Sequence, residues 1–392
     1  MMVDVSISNK MKKQRASVAA SVWLPLLLAA PLGPSAAALL HQQTQVFVGG
    51  RDAIHTYRIP SMVVTRNGTI LVFCEGRRDR ADDGSPTNLV LKRSLGNFGP
   101  LSPAHVQDSA AVRRVRKGRI VWQPMQVLIA SKAGEAYMNP VPIIDQNDGT
   151  IFLLVNPYPQ PYKDAPAHIL LMKSSDEGAT WSSPTEISQG TGLKELGPGI
   201  GIQMQGGRLV APTYDGVIFS DDHGKTWKSG RKLPGLYGET QVTELVDGSL
   251  MIIVREGVHR TVAISKDGGL TWGKPWDNVA LTGPKEYQGC QASLIRYSRK
   301  KDGTSMDRLL FSGPADPDHR LNMTVKLSYD EGKTWPVSKL IKKGPGGYSS
   351  LTVFPDGTIG LVYETGIGFG NLSFARFDLG WLTGSRDGLT SR

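Results

Sequence analysis

The chain has 392 residues with 45 Gly, 25 Pro, 7% aromatic residues and a formal net charge of +10. That length is ample for one large core, and the dense Gly/Pro punctuation argues against a protein of long helices and for one of many short strands. Only Cys74 and Cys290 are present, which excludes a disulfide-rich scaffold, and the histidines show no HExxH or paired-ligand spacing, so no metal and no cofactor is implied.

The N-terminus reads as a targeting segment. Lys10, Lys12, Lys13 and Arg15 precede an apolar run from about Val18 to Leu32, and Ala36-Ala37-Ala38 offers a small-residue cleavage site. The run is shorter than the roughly 20 residues a spanning helix needs and is broken by Pro25 and Pro31. A removable signal peptide over residues 1–38 is therefore expected, with no stable membrane span and export to the periplasm or the exterior. One domain is expected over 39–392, because no linker divides the rest of the chain. Without the leader the formal charge is +7. Its basic residues are dispersed, with only short clusters such as Arg113-Arg114-Val115-Arg116-Lys117, and no recognition helix or stacking motif accompanies them, so nucleic acid is not the expected partner. The charge suits steering of a small acidic substrate.

From Thr44 onward, short apolar runs alternate with turn signals. Asn67-Gly68, Asp148-Gly149, Asp247-Gly248 and Asp356-Gly357 mark tight hairpins in antiparallel meanders. Cys74 and Cys290 lie inside such apolar runs and read as buried free thiols, with a single disulfide as the alternative. An octapeptide S-x-D-x-G-x-T-W recurs four times, at Ser174–Trp181, Ser220–Trp227, Ser265–Trp272 and Ser328–Trp335, with start-to-start spacings of 46, 45 and 63 residues. That period is about one four-stranded blade. In each copy Asp closes a side-chain turn, Gly takes a left-handed conformation, and Trp supplies apolar surface to lock the hairpin onto its blade. The repeated carboxylates therefore read as turn-formers. At roughly 50–60 residues per blade the exported chain makes about six blades of a β-propeller. The strand TQVFVGG should pair into the last blade beside NLSFARF and close the ring.

A propeller brings the starts of its innermost strands to one axis, so distant residues can share a pocket. Arg58 in YRIP, Arg77 in EGR, Arg255 and Arg320 all fall at strand ends or adjacent loops. Several guanidinium groups facing one cavity need an anion, and a planar guanidinium pairs bidentately with a carboxylate.

At these residues the chain resembles the exo-sialidases of the bacterial and animal neuraminidase superfamily, six-bladed propellers with Asp-box repeats. The matching motifs are YRIP (57–60), EGR (75–77), GPGIGIQMQGGRLVAPTY (197–214), ETQ (239–241), CQASLI (290–295), GYSSL (347–351) and LVYE (361–364), in family order over nearly the whole exported chain. The resemblance implies that Arg58, Arg255 and Arg320 grip the substrate carboxylate, with Glu364 holding Arg58. It makes Tyr348 the nucleophile, Glu239 its general base and Asp83 the acid/base, with Asp82 in reserve. Arg77 would line the pocket near the sugar O4. The chemistry explains the residue types: the anomeric carbon of a sialoside bears a carboxylate, which repels a carboxylate nucleophile but tolerates a neutral Tyr hydroxyl deprotonated by a neighbouring Glu. The implied function is a retaining, metal-free exo-α-sialidase acting on sialylated glycoconjugates or oligosaccharides. The alternatives are a non-catalytic glycan-binding propeller, a trans-sialidase or anhydro-forming enzyme, and a glycosidase for another nonulosonic acid of the Kdn type. The last is prompted by Ile200, where many relatives carry His.

Overall fold

A computed structural model describes residues 40–95, 120–159, 168–192 and 195–388. The expected leader and the Arg113–Lys117 cluster lie outside these residues. The described residues belong to one compact unit, Ala38–Arg392, and none of their helices is long and apolar enough to cross a membrane.

Antiparallel meanders build six blades, each written here from the axis outward. Blade 1 is Thr56–Val64, Ile70–Arg77, Thr87–Ser94 and Gln126–Ile129; blade 2 is Glu135–Ile144, Ile151–Pro159, Leu170–Ser174 and Thr185–Glu186. A single parallel bridge, Thr87 to Ala136, joins these two at their edges. Blade 3 is Ile202–Gln203, Leu209–Thr213, Gly216–Ser220 and Lys228–Ser229, and blade 4 is Thr240–Glu244, Leu250–Glu256, His259–Ser265 and Trp276–Thr282. Blade 5 is Ser293–Ser298, Arg308–Pro314, Leu321–Ser328 and Val337–Pro345. Blade 6 takes Ser349–Val353, Ile359–Thr365 and Asn371–Phe377 from the end of the chain and its outermost strand, Leu40–Phe47, from the beginning. Thr44 pairs with Phe374 in that ladder, so the ring closes as the sequence implies.

The seams between blades hold the fold. One large apolar cluster fills each: Phe73 and Leu153 between blades 1 and 2, Phe152 and Leu209 between 2 and 3, Val217 and Ile252 between 3 and 4, Met251 and Leu294 between 4 and 5, Leu310 and Leu361 between 5 and 6, Phe374 and Val72 between 6 and 1. Burying each such side chain contributes about 1.5–3 kcal/mol, whereas a lone backbone bridge adds on the order of 1 kcal/mol. The bridge at Thr87 is therefore incidental. Nearest the axis, side chains replace the missing ladder: Ser350 Oγ accepts from Met62 N (3.1 Å), Ser293 Oγ from Leu351 N (3.0 Å) and Gln291 Oε1 from Ser349 N (3.0 Å). Cys74 and Cys290 are free and buried.

The octapeptides sit between the third and fourth strands of blades 2 to 5. In every copy Ser Oγ accepts from the Gly amide (2.8–2.9 Å) and donates to Asp Oδ1 (2.7–2.8 Å), while Asp accepts from the Thr amide and hydroxyl. One expectation is extended here. Trp335 does meet a ring of its own blade, Phe311 at 6.0 Å, but the Trp also reaches into the seam with the preceding blade. Trp181 of blade 2 meets Phe73 of blade 1 edge-on at 5.6 Å, and Trp227 of blade 3 meets Phe152 of blade 2 at 6.3 Å. The glycine is required on the same account, since a Cβ on Gly224 would lie 2.3 Å from Phe152, and its φ is 72° besides.

These bonds hold the box carboxyls ionised. The Thr side-chain bond is the largest cause for Asp176, brought down to about 2, and for Asp222; for Asp267, also about 2, and Asp330, burial is the largest single effect and acts upward, but the Thr, Ser and backbone bonds together outweigh it. A depressed folded-state pKa stabilises fully above the unfolded value near 4 and is lost as pH falls through the folded value. The melting temperature should therefore drop between about pH 4 and pH 2, and Thr226→Val should shrink that drop in a pH series of thermal melts.

Candidate active site

The cavity at the axis, about 500 Å³, opens where the innermost strands begin. In blade 1, Tyr57-Arg58-Ile59-Pro60 forms a bulge: pairing slips between Arg58 and Ser61, and Ile59 adopts φ 56°. A β-branched residue in that region is strained by ~1–3 kcal/mol, and here it has a holder. Glu364, fully buried at the end of its strand in blade 6, accepts from Ile59 N (2.9 Å), Tyr348 N (2.9 Å) and Arg58 Nε (2.6 Å). One carboxylate thus fixes the backbones of two neighbouring blades and aims Arg58. Burial works against the Arg58 charge, but Glu364 beside it keeps the guanidinium above its ordinary value. Gly347 makes this approach feasible, because a Cβ there would sit 2.2 Å from Glu364 Oε2.

Tyr348 is 5% exposed, and its hydroxyl donates in a short bond to Glu239 Oε1. Arg255 Nη1 donates to that hydroxyl (2.7 Å) and to Glu239 Oε2 (2.8 Å), closing a three-residue ring of polar contacts. Arg320 is buried, with Nη2 on Gly289 O (3.0 Å) and Nε without a hydrogen-bond partner. The guanidinium carbons of Arg58, Arg255 and Arg320 stand 5.4, 6.0 and 5.3 Å from the Tyr348 ring centroid. All three arginines, Tyr348 and Glu239 therefore surround one cavity. Burial, reinforced by Glu239, lifts the Tyr348 hydroxyl well above its usual range, with Arg255 and Arg320 opposing. Tyr348 is thus a phenol at rest.

Across the cavity, Arg77 is clamped by Glu75 (2.8 Å) and Asp83 (2.6 Å). Asp82 also lines the cavity, but its Oδ1 is taken by Arg80 Nε (2.9 Å) and Gly84 N (2.9 Å), and the Arg80 bond is the main cause of its lowered pKa.

Met138, Asn139, Tyr287 and Phe369 are among the lining residues that carry no expectation from the sequence. Met138 and Asn139 had a signal: Tyr137-Met138-Asn139-Pro140 repeats the Tyr-x-x-Pro pattern of YRIP, with the same slip, φ 56° at Asn139, and Asn139 N on buried Glu75 (3.1 Å) in place of Ile59 N on Glu364. Tyr287 and Phe369 had none. They sit in loops at φ 51° and 59°, Tyr287 stacking 4.9 Å from Arg320 and accepting from Arg255 on its carbonyl.

Ile200 is not in this cavity. It faces a second space of about 300 Å³ with Ile295, Thr352 and Val353. Tyr348 immediately precedes the innermost strand of blade 6 and Val353 ends it, so at about 3.3 Å per residue the two spaces lie at opposite ends of the axis. The residue that prompted the Kdn-type alternative therefore does not line the arginine cavity.

A propeller with a guanidinium-lined cavity at the mouth of its axis belongs, as a class, with the BNR-repeat proteins, and residues 108–361 match the family model for a BNR repeat-like domain. The chain is 30% identical to a sialidase of Micromonospora viridifaciens over 94% of its own length and 58% of the relative's, and 30% identical to a sialidase of Bacteroides fragilis over 81% and 61%. A solved Hadza microbial sialidase superposes with a TM-score of 0.71 at 27% identity, covering 87% of this chain and 69% of that one. The chain belongs to the sialidase superfamily. It spans about three fifths of the length of those two curated relatives.

Proposed function

We propose that the protein is a retaining exo-α-sialidase, exported through residues 1–38, that releases terminal sialic acids from glycoconjugates or oligosaccharides. The observation that carries this reading is the hydrogen bond of Tyr348 to Glu239 inside a ring of three arginines. Arg58, Arg255 and Arg320 bind the substrate carboxylate. Tyr348 Oη attacks the anomeric carbon while its proton passes to Glu239, and Asp83 protonates the departing glycosidic oxygen. In the second half, Asp83 takes a proton from water, the hydroxide displaces Tyr348, and Glu239 returns the phenol proton. A binding module would need the arginines but not the Tyr348–Glu239 pair, which favours the enzyme.

The test is release of 4-methylumbelliferone from its α-sialoside between pH 4 and pH 8. No release at any pH would reject the sialidase reading, and the deaminated sugar separates a sialidase from a Kdn-type enzyme. Product analysis distinguishes hydrolysis from transfer or anhydro formation.

Asp83 is preferred to Asp82 as the acid on its place in the motif, eleven residues before Ser94; both carboxylates are ion-paired, Asp83 with Arg77 (2.6 Å) and Asp82 with Arg80 (2.9 Å), so substitution has to separate them. Asp83→Asn should cost about 10²-fold or more on a sialyl-galactoside, whose alcohol leaves poorly, and under tenfold on the aryl sialoside. If Asp82→Asn shows that split and Asp83→Asn does not, the role passes to Asp82.

A further inference from the structure

Blade 4 carries a file of charged residues that the mechanism above uses only in part. Arg255 N donates to Glu239 O (2.8 Å), setting those two opposite each other, and Arg255 is paired in turn with Arg260 on the third strand. Directly opposed residues of an antiparallel ladder project from the same face. Glu239, Arg255 and Arg260 therefore run outward from the axis, one behind the next.

Arg260 is the anomaly of the file. It is 1% exposed, its Nε and Nη2 have no hydrogen-bond partner, and among the described residues it forms no ion pair. The other arginines buried to that degree each hold a carboxylate: Arg77 on Glu75 at 2.8 Å, Arg308 on Asp387 at 2.6 Å and Arg376 on Asp356 at 2.5 Å. What Arg260 has is the Phe311 ring, 6.0 Å away, and the bare backbone of Gly283. A distant ring contact does not offset the burial of an unpaired charge, and a like charge directly across the ladder adds to the cost. Burial pushes the Arg260 guanidinium down to about 10, and the Arg255 charge acts in the same direction. The charged or titratable groups facing it are Arg255 and Glu239 on its own sheet, Cys290 ahead of blade 5 and Tyr348 at the head of blade 6. Cys290 is buried and its thiol is pushed up to about 11, so it supplies no counter-charge at neutral pH.

We propose that Arg260 is a positioning residue for catalysis: its buried charge favours the ionised form of the Tyr348–Glu239 pair and holds Arg255 forward against that pair. The proposal rests on the reading of Tyr348 as nucleophile and Glu239 as its base. The pair must enter the reaction carrying one negative charge, so that the phenol proton has somewhere to go. Arg255 is committed to both partners and to the substrate carboxylate, which leaves Arg260 as the cation behind them that no ligand neutralises.

The sign of the consequence follows. Removing a nearby positive charge makes the ionised pair harder to form, so its apparent pKa rises and the acid limb of the kcat/KM profile moves to higher pH. A unit charge acting across a buried sheet imposes a shift on the order of one pH unit. Arg260→Met and Arg260→Gln, checked for folding by circular dichroism and thermal melting, should shift the acid limb of aryl sialoside hydrolysis by about that much, with kcat/KM about tenfold lower on the limb and nearly restored at high pH. Arg260→Lys should keep the unmodified limb. The proposal is overturned by a folded neutral variant with an unmoved limb, by a Lys variant shifted as far as Met, or by loss of folding in both neutral variants while Lys folds, which would make the charge structural. If the unmodified protein turns over no sialoside, the functional reading fails first and this role goes with it.

Discussion

Tyr348→Phe is expected to lower kcat on sialosides by about 10³-fold or more while leaving the fold intact, as loss of an attacking group with its proton relay does elsewhere. The ring itself stays packed against Ile59 and Cys290, and only the hydroxyl contacts to Glu239 and Arg255 disappear. Glu239 does not become an orphan charge, because Arg255 still holds it at 2.8 Å. The change therefore isolates chemistry from stability. Since burial keeps Tyr348 protonated at rest, phenol and base should act as one unit: Glu239→Gln should cost nearly as much, and the double variant little more than either single one. Steady-state kinetics on all three, with intact mass after reaction with a fluorinated sialoside, make the check. Adduct formation on the unmodified protein but not on Tyr348→Phe is expected, and unimpaired turnover by Tyr348→Phe would remove the nucleophile from the mechanism.

The second large effect is expected at Arg320. Arg320→Met should raise KM for sialosides and lower kcat/KM by roughly 30-fold to 10³-fold, matching the 2–4 kcal/mol lost when one partner of a buried charge pair is truncated. The substrate carboxylate is present in ground state and transition state alike, so the loss should fall mainly on KM. Arg320 is the cleanest of the three arginines to remove. Arg58 is the counter-ion of fully buried Glu364, and Arg255 braces Glu239, so either substitution would leave a charge uncompensated. Arg320 instead has a carbonyl on Nη2 and an unpartnered Nε. A KM unchanged within twofold would show that the carboxylate is held elsewhere.

The architecture was readable because a propeller writes itself repeatedly: four octapeptides and the hairpin turns fix blade period and count before any contact is known. What they do not show is the neighbour. That Trp181 covers apolar surface is legible, but that Phe73 of the previous blade receives it depends on how two sheets stack. The site was legible only through residues outside the repeat, and only as a constellation. Arg58, Glu239 and Tyr348 are unremarkable singly, and the side of the cavity they face is set by bulges and strand ends. Ile200 illustrates the limit: near the axis in sequence terms, it falls at the far mouth because an innermost strand runs from one end of the ring to the other. Met138 and Asn139 could have been found from the second Tyr-x-x-Pro. Tyr287 and Phe369 could not, since a left-handed loop residue announces itself neither by type nor by spacing.

The strand that closes blade 6 also ties the geometry of the cavity to the integrity of the molecule. Leu40–Phe47 and Asn371–Phe377, from opposite ends of the chain, share one ladder, and the seam beside it is the one crossed by Glu364 as it reaches Arg58 and Ile59. Tyr348 hangs from the same carboxylate. Parting the two chain ends would thus loosen Arg58 and Tyr348 together, without touching either. The geometry around Glu364 is in this sense a gauge of whether the circle is shut: a chain nicked or trimmed at its first strand should lose the proposed activity at a lower temperature than it loses its fold.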